Sequence, residues 1–161
     1  MTYFLTESSF ICDTVESLKL FAEQIALHPS IENANIQLMG ELGAGKSTFT
    51  RYLLQSLGVM GTIKSPTYAV VEEYLVKKRQ AELRIWHFDF YRFNDPSEWE
   101  EAGFRDIFMS TGLKISEWPQ KAAGYIPDPD LVIDFEFTEK EDSRLINLKA
   151  LTQIGQKLFT K

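Results

Sequence analysis

The sequence carries a single cysteine, Cys12, and so has no partner with which to form a disulfide. A disulfide framework is excluded and a reducing compartment is expected. Cys12 itself reads as a small buried or half-buried apolar residue rather than a catalytic thiol. Long apolar runs are also missing, and no stretch approaches the length of a membrane-spanning helix. The opening segment MTYFLTESSF has neither a basic n-region nor an apolar core, so it does not read as a signal peptide. The expectation is a cytoplasmic protein with no membrane partner. Positive charge is in deficit: 17 Lys and Arg stand against 23 Asp and Glu, a net charge of −6 at pH 7. Such a surface repels nucleic-acid phosphates and disfavours non-specific binding to them, though a local basic patch stays open. Internal repeats and low-complexity linkers are absent as well, and 161 residues suit one domain spanning 1–161.

What is there begins with alternating helix and strand signals. The spacing of Val15, Leu18, Phe21, Ala22 and Ile25 predicts a helix over 13–27, with Asp13 and Glu16 as a capping box and His28-Pro29 as its stop. A short apolar strand is expected over 34–39. A second helix follows, with Phe49, Leu53, Leu54 and Leu57 on one face and Gly58 just past its end. Two β-type runs, 67–76 and 83–93, flank the polar KKRQAE and read as a hairpin. Asp95 and Pro96 are expected to start another helix. A strand over 113–118 and a closing hairpin around KEDS complete the pattern.

Between the first strand and the second helix lies GELGAGKSTF. Gly40 to Ser47 match G-x-x-x-x-G-K-[ST] at every fixed position. A polyphosphate is gripped by several backbone N–H groups at once, in conformations that most side chains forbid, and glycine permits them. Gly43, Ala44, Gly45, Lys46, Ser47 and Thr48 are therefore the candidate phosphate-binding residues. Lys46 reaches the β and γ phosphates, Ser47 offers a hydroxyl to Mg²⁺, and the helix start aims its positive end at the anion.

Such a loop needs an acid at the end of a neighbouring strand to complete the Mg²⁺ site. Asp89, closing IWHFD, fits this place; the plain alternative is an ion pair with Arg92. Ser65 or Thr67 in KSPTY lies where a switch loop would close on the metal, or simply enters a strand. Glu117, at the end of LKISEW, could orient the attacking water or join the metal shell. Trp118 is more often core or interface than catalytic, and His87 more often a satisfied core or surface residue.

Taken together, GELGAGKSTFTR, KSPTY, HFDFYR and SEWP, in this order and spacing, resemble the bacterial TsaE (YjeE) family. The resemblance runs from the first helix to the terminal hairpin. Ser47 stands where the family's pattern usually has Thr, which keeps the hydroxyl. The family implies an α/β P-loop NTPase fold: a single domain with a mixed parallel/antiparallel β-sheet flanked by helices. It further implies a weak ATPase that binds ATP/ADP with Mg²⁺ and serves threonylcarbamoyladenosine biosynthesis in tRNA. Its partners would be TsaD and TsaB homologues, with direct tRNA contact left open. Under this resemblance Lys46, Asp89, Glu117 and Thr67 are the catalytic group. Ser47, Asp89 and Glu117 are the metal group, and Trp118 stands beside the nucleotide. The adenine is expected near 12–14. Rival readings are a small-molecule kinase, which lacks a lid-like arginine cluster here, and a GTPase switch, which lacks N-K-x-D. A non-enzymatic module with a degenerate loop is opposed by the presence of Lys46, Ser47 and Asp89.

Overall fold

Ile36 and Leu38 have no exposed surface, and their strand lies near the middle of the sheet. In the computed structural model, which describes residues 4–160, β2 (Asn35–Gly40) pairs in parallel with β5 (Leu113–Glu117) on one side and β6 (Leu131–Phe137) on the other. Parallel strands covered on both faces are built from such apolar runs. The reading of the opening segment is met by described residues only from Phe4 onward, because 1–3 lie outside them.

The sheet has seven strands in the order β1-β7-β6-β2-β5-β4-β3. β4 (Glu82–Asp89) extends the parallel centre beside β5, and β3 (Val71–Lys77) runs antiparallel along its outer side. On the far side β7 (Arg144–Ala150) and β1 (Thr6–Cys12) are added as antiparallel strands. The expected mixed α/β sheet is thus present. Alternation along β4 sorts two cores. Leu83 and Ile85 join the larger core with α1 (Val15–Leu27) and α2 (Lys46–Ser56), while Trp86 and Phe88 join an aromatic cluster with Phe90, Trp99 and Phe104. Trp99 and Phe104 come from α3 (Glu98–Glu101) and α4 (Phe104–Met109).

Several boundaries differ from the sequence reading. The first helix is capped by Thr14, not Asp13: Thr14 Oγ1 accepts from Ser17 N at 3.1 Å and Ser17 Oγ accepts from Thr14 N at 3.1 Å. Asp13 instead accepts from Ser143 Oγ at 3.3 Å, which ties it to the terminal hairpin. Val15 is exposed at the helix start, whereas Leu18, Phe21, Ala22 and Ile25 are buried as expected. The run 67–76 becomes strand only at Val71, because Val70 N donates to Pro66 O at 2.5 Å and closes a turn. The run 83–93 ends at Asp89, and Phe93 N turns back to Phe90 O at 3.0 Å. Asp95 does not cap a helix; its Oδ1 accepts from Ser97 N at 2.8 Å, and α3 starts at Glu98. β1 and the final helix α5 (Gln153–Phe159) were not foreseen. TESSFIC is too polar to announce a strand, and it forms one because β7 offers a full partner edge from Thr6↔Ala150 to Cys12↔Arg144.

Phe49 joins the two helices to the sheet. It is fully buried, with its ring 5.3 Å from that of Phe21 on α1 and 5.8 Å from that of Phe135 on β6. Phe49→Ala is expected to lower stability by about 3–5 kcal/mol through lost transfer energy and a residual cavity, measured by urea unfolding.

Candidate active site

The glycine loop leaves the end of β2 and turns straight into α2. Gly45 caps that helix in the left-handed region, at φ 113° and ψ 5°. Gly40 meets a different constraint: a Cβ there would stand 2.7 Å from Phe135 O, so the loop can leave the sheet this close to β6 only without a side chain. Lys46 Nζ hydrogen-bonds to the carbonyls of Gly40 and Glu41, the latter at 3.2 Å. The carbonyls of Ala44 and Gly43 accept from Arg144 Nε at 3.1 Å and Nη2 at 3.4 Å. Side-chain cations therefore hold the loop's carbonyls, and the first N–H groups of α2 have no helical acceptors to turn to. That edge suits an anion.

A cleft of about 280 Å³ opens over this loop, lined by residues 42–48 together with Thr67, Asp89, Tyr91, Glu117 and Trp118. The phosphate-loop residues Gly43 to Thr48 line it together with Thr67, Asp89, Glu117 and Trp118, whereas Ser65 does not, and Cys12 and Thr14 border a separate groove. Asp89 and Glu117 end adjacent parallel strands and stand opposite each other in the register. Ser47 Oγ donates to Glu117 Oε1 at 3.1 Å. Thr67 Oγ1 donates to Asp89 Oδ2 at 3.0 Å, with Ser65 Oγ 2.9 Å from the same hydroxyl, and Tyr91 N donates to Asp89 Oδ1 at 3.0 Å. The alternative ion pair does not form among the described residues; Arg92 lies over the Tyr68 ring, 3.9 Å from its centroid. His87 is buried, with Nε2 2.6 Å from Glu117 Oε2.

Lys46 and Trp118 form the roof. The Lys46 ammonium stands 4.1 Å from the centroid of the Trp118 ring, which also packs on Tyr91 at 5.1 Å. Trp118 holds this place with φ 56° and ψ 46°, a left-handed conformation that costs a bulky residue roughly 1–3 kcal/mol. Burial pushes the Lys46 ammonium below its ordinary pKa, and the charges of Glu117, Asp89 and Asp134 oppose that shift.

Among the described residues no group of three or more His, Cys, Asp or Glu could hold a metal ion unaided. A hydroxyl and one or two carboxylates beside an anion cradle nevertheless fit Mg²⁺, which retains waters and takes substrate oxygens. The donor set Ser47, Asp89 and Glu117 is of that kind. On the outer side of the loop, a groove of about 160 Å³ runs past Cys12, Thr14, Leu18, Gly45 and Arg144. A larger hollow of about 700 Å³ lies between β1, α1 and α5, but its walls are mainly Leu, Ile and Phe and bring no carboxylate. Sequence reasoning missed Arg144, Asp134 and Tyr91. No local pattern marks them, since pairing of distant strands brings Arg144 and Asp134 to the loop and the chain's turn after Asp89 brings Tyr91.

Known proteins resemble the chain in sequence and in fold. The family model described as "Threonylcarbamoyl adenosine biosynthesis protein TsaE" matches residues 12–146. The tRNA threonylcarbamoyladenosine biosynthesis protein TsaE of Haemophilus influenzae is 38% identical over 142 residues, covering 88% of this chain and 86% of that protein. The protein of the same name from Bacillus subtilis is 34% identical over 98 residues, or 61% of this chain and 58% of that one. The crystal structure of Bacillus subtilis YdiB superimposes with a TM-score of 0.74 at 23% identity, over 97% of this chain and 93% of the other. That structure shares the fold.

Cys12 borders the outer groove but is 3% exposed, and burial is the largest cause raising its thiol pKa. Thiolate character and access are both low. Labelling of native protein with a thiol reagent at pH 7 is expected to run at least about 10-fold slower than labelling in denaturant.

Proposed function

The chain belongs to the TsaE family, and from that premise we propose that it is a slow, Mg²⁺-dependent ATPase serving threonylcarbamoyladenosine modification of tRNA. It acts on a TsaB–TsaD complex and does not itself carry out the transfer. The observation that carries the reading is the meeting of Ser47, Asp89 and Glu117 at the cleft over the glycine loop, where the first N–H groups of α2 have no helical acceptors.

Each residue has a chemical part in this reading. The amides from Gly43 to Thr48 cradle the phosphate chain. Lys46 releases the carbonyls of Gly40 and Glu41 and donates to the β and γ oxygens. The Ser47 hydroxyl, with Asp89 and Glu117, would hold the metal, which when bound neutralises charge developing across those oxygens. Carboxylate oxygens of Asp89 or Glu117 not committed to the metal orient the attacking water. Thr67, already on Asp89, sits in a short turn that can follow the state of the nucleotide. Trp118 shields the Lys46 charge from solvent and strengthens its hold on phosphate. The base is assigned to the groove beside Cys12 and Thr14, where Val15 and Leu18 provide apolar walls. ADP and phosphate are the products.

The acidic surface leaves tRNA contact chiefly to the partners. Among the described residues no helix is long and apolar enough to cross a membrane.

ATP hydrolysis measured with and without the TsaB–TsaD pair tests the proposal, with faster turnover expected in its presence. Lys46→Ala should abolish hydrolysis and weaken ATP binding by on the order of 10²-fold or more. Asp89→Asn and Glu117→Ala should keep part of the binding and lower turnover at least about 10-fold. Parental rates in both carboxylate variants would refute the assignment.

A further inference from the structure

Glu117 is held by both of its oxygens. Oε1 accepts from Ser47 Oγ at 3.1 Å, and Oε2 lies 2.6 Å from His87 Nε2. The His87 and Glu117 side chains are each 3% exposed, so neither bond is shared with bulk solvent. The placement follows from the strands. His87 precedes Asp89 by two residues on β4 and points to the same face. In the parallel register it stands opposite Ile115, one inward position below Glu117, and its ring reaches the carboxylate from beneath.

The other ring nitrogen identifies the tautomer. Nδ1 is buried and has no hydrogen-bond partner among the described residues. With the proton on Nε2, His87 donates to Glu117 and Nδ1 is left as a bare acceptor. With the proton on Nδ1 alone, a donor would be buried without an acceptor, and two lone pairs would face each other at Nε2 and Oε2. The first arrangement is the one the surroundings support.

The geometry points to His87 as a positioning residue for the ATPase reaction: its Nε2–H pins the Glu117 carboxylate so that Oε1 stays on Ser47, at the place assigned to the metal. A carboxylate bound at one oxygen alone could rotate away from the hydroxyl. Outer hydrogen bonds of this kind orient the groups that meet a metal, and their loss costs roughly 10–100-fold in metal affinity or activity. The inference rests on the ATPase reading above. It differs from a purely structural role for His87 in demanding a donor at one depth: a polar group that stops short will not serve.

Two amide substitutions separate these roles. His87→Gln puts an NH₂ donor near the position of Nε2, whereas His87→Asn ends near the level of Nδ1 and falls short of Glu117. The full chain is assayed for kcat and KM with ATP, and for the Mg²⁺ concentration that half-saturates binding of a fluorescent ATP analogue. H87N should lower kcat by about 10-fold or more with KM changed less than about 3-fold, and should raise the Mg²⁺ midpoint, while H87Q stays within about 3-fold of the parent in all three. In a Glu117→Ala background, H87N should not move the Mg²⁺ midpoint further. If H87N and H87Q behave alike, whether both parental, both impaired or both poorly folded, the positioning role is wrong and the ATPase reading is untouched. A shift of the Mg²⁺ midpoint by H87N without Glu117 would also overturn it. A parent chain that binds no Mg²⁺–ATP would remove the ATPase reading and this inference with it.

Discussion

Parallel pairing in the order β2-β5-β4 is the constraint on which the site depends. Parallel strands point the same way, so their carboxyl ends collect at one edge of the sheet, where open α/β sheets bind ligands. β2 delivers the glycine loop there, β5 delivers Glu117 and β4 delivers Asp89. Because Asp89 and Glu117 are register partners, their separation is set by the strand spacing rather than by loop flexibility. Thr67 and Trp118, by contrast, come from connecting segments: Thr67 is held by Asp89, which β4 has fixed, and Trp118 by Lys46 at the start of α2.

Strain gathers in these connecting segments. Among the described non-glycine residues, Val70 and Trp118 have positive φ, and each follows closely on a site group. Val70 closes the turn that presents Thr67, and its carbonyl accepts from Asp89 N at 2.8 Å. Trp118 directly follows Glu117. Positive φ in a β-branched or indole residue persists only when surrounding contacts over-determine it. Here those contacts are the ladder beside Asp89 and the stack of Lys46, Trp118 and Tyr91.

Much of the site was legible in the sequence because its parts are local. A loop that wraps phosphate writes its backbone needs directly as Gly43, Gly45, Lys46 and Ser47. An acid at the end of an apolar run, as at Asp89 and Glu117, is a strand-end signal. What stayed hidden was tertiary. Nothing around Arg144 announces that its guanidinium will hold the carbonyls of Gly43 and Ala44. His87 reads in sequence as a satisfied core or surface histidine, and its tie to Glu117 depends on the β4–β5 register. The helix cap moved from Asp13 to Thr14 because Asp13 is claimed by Ser143, a residue 130 positions away. The polar β1 exists because β7 offers it an edge.

The Arg144 bracket links the two ends of the chain's history. Its acceptor on Ala44 lies 100 positions earlier. A chain made from its amino end therefore exposes the glycine loop long before the residue that braces it emerges. Until β7 has joined the sheet, those two carbonyls lack the guanidinium that holds them. The bracing of the glycine loop is thereby tied to formation of the β6–β7 hairpin, and a chain cut before Arg144 would carry every residue of the glycine motif and still lack its brace.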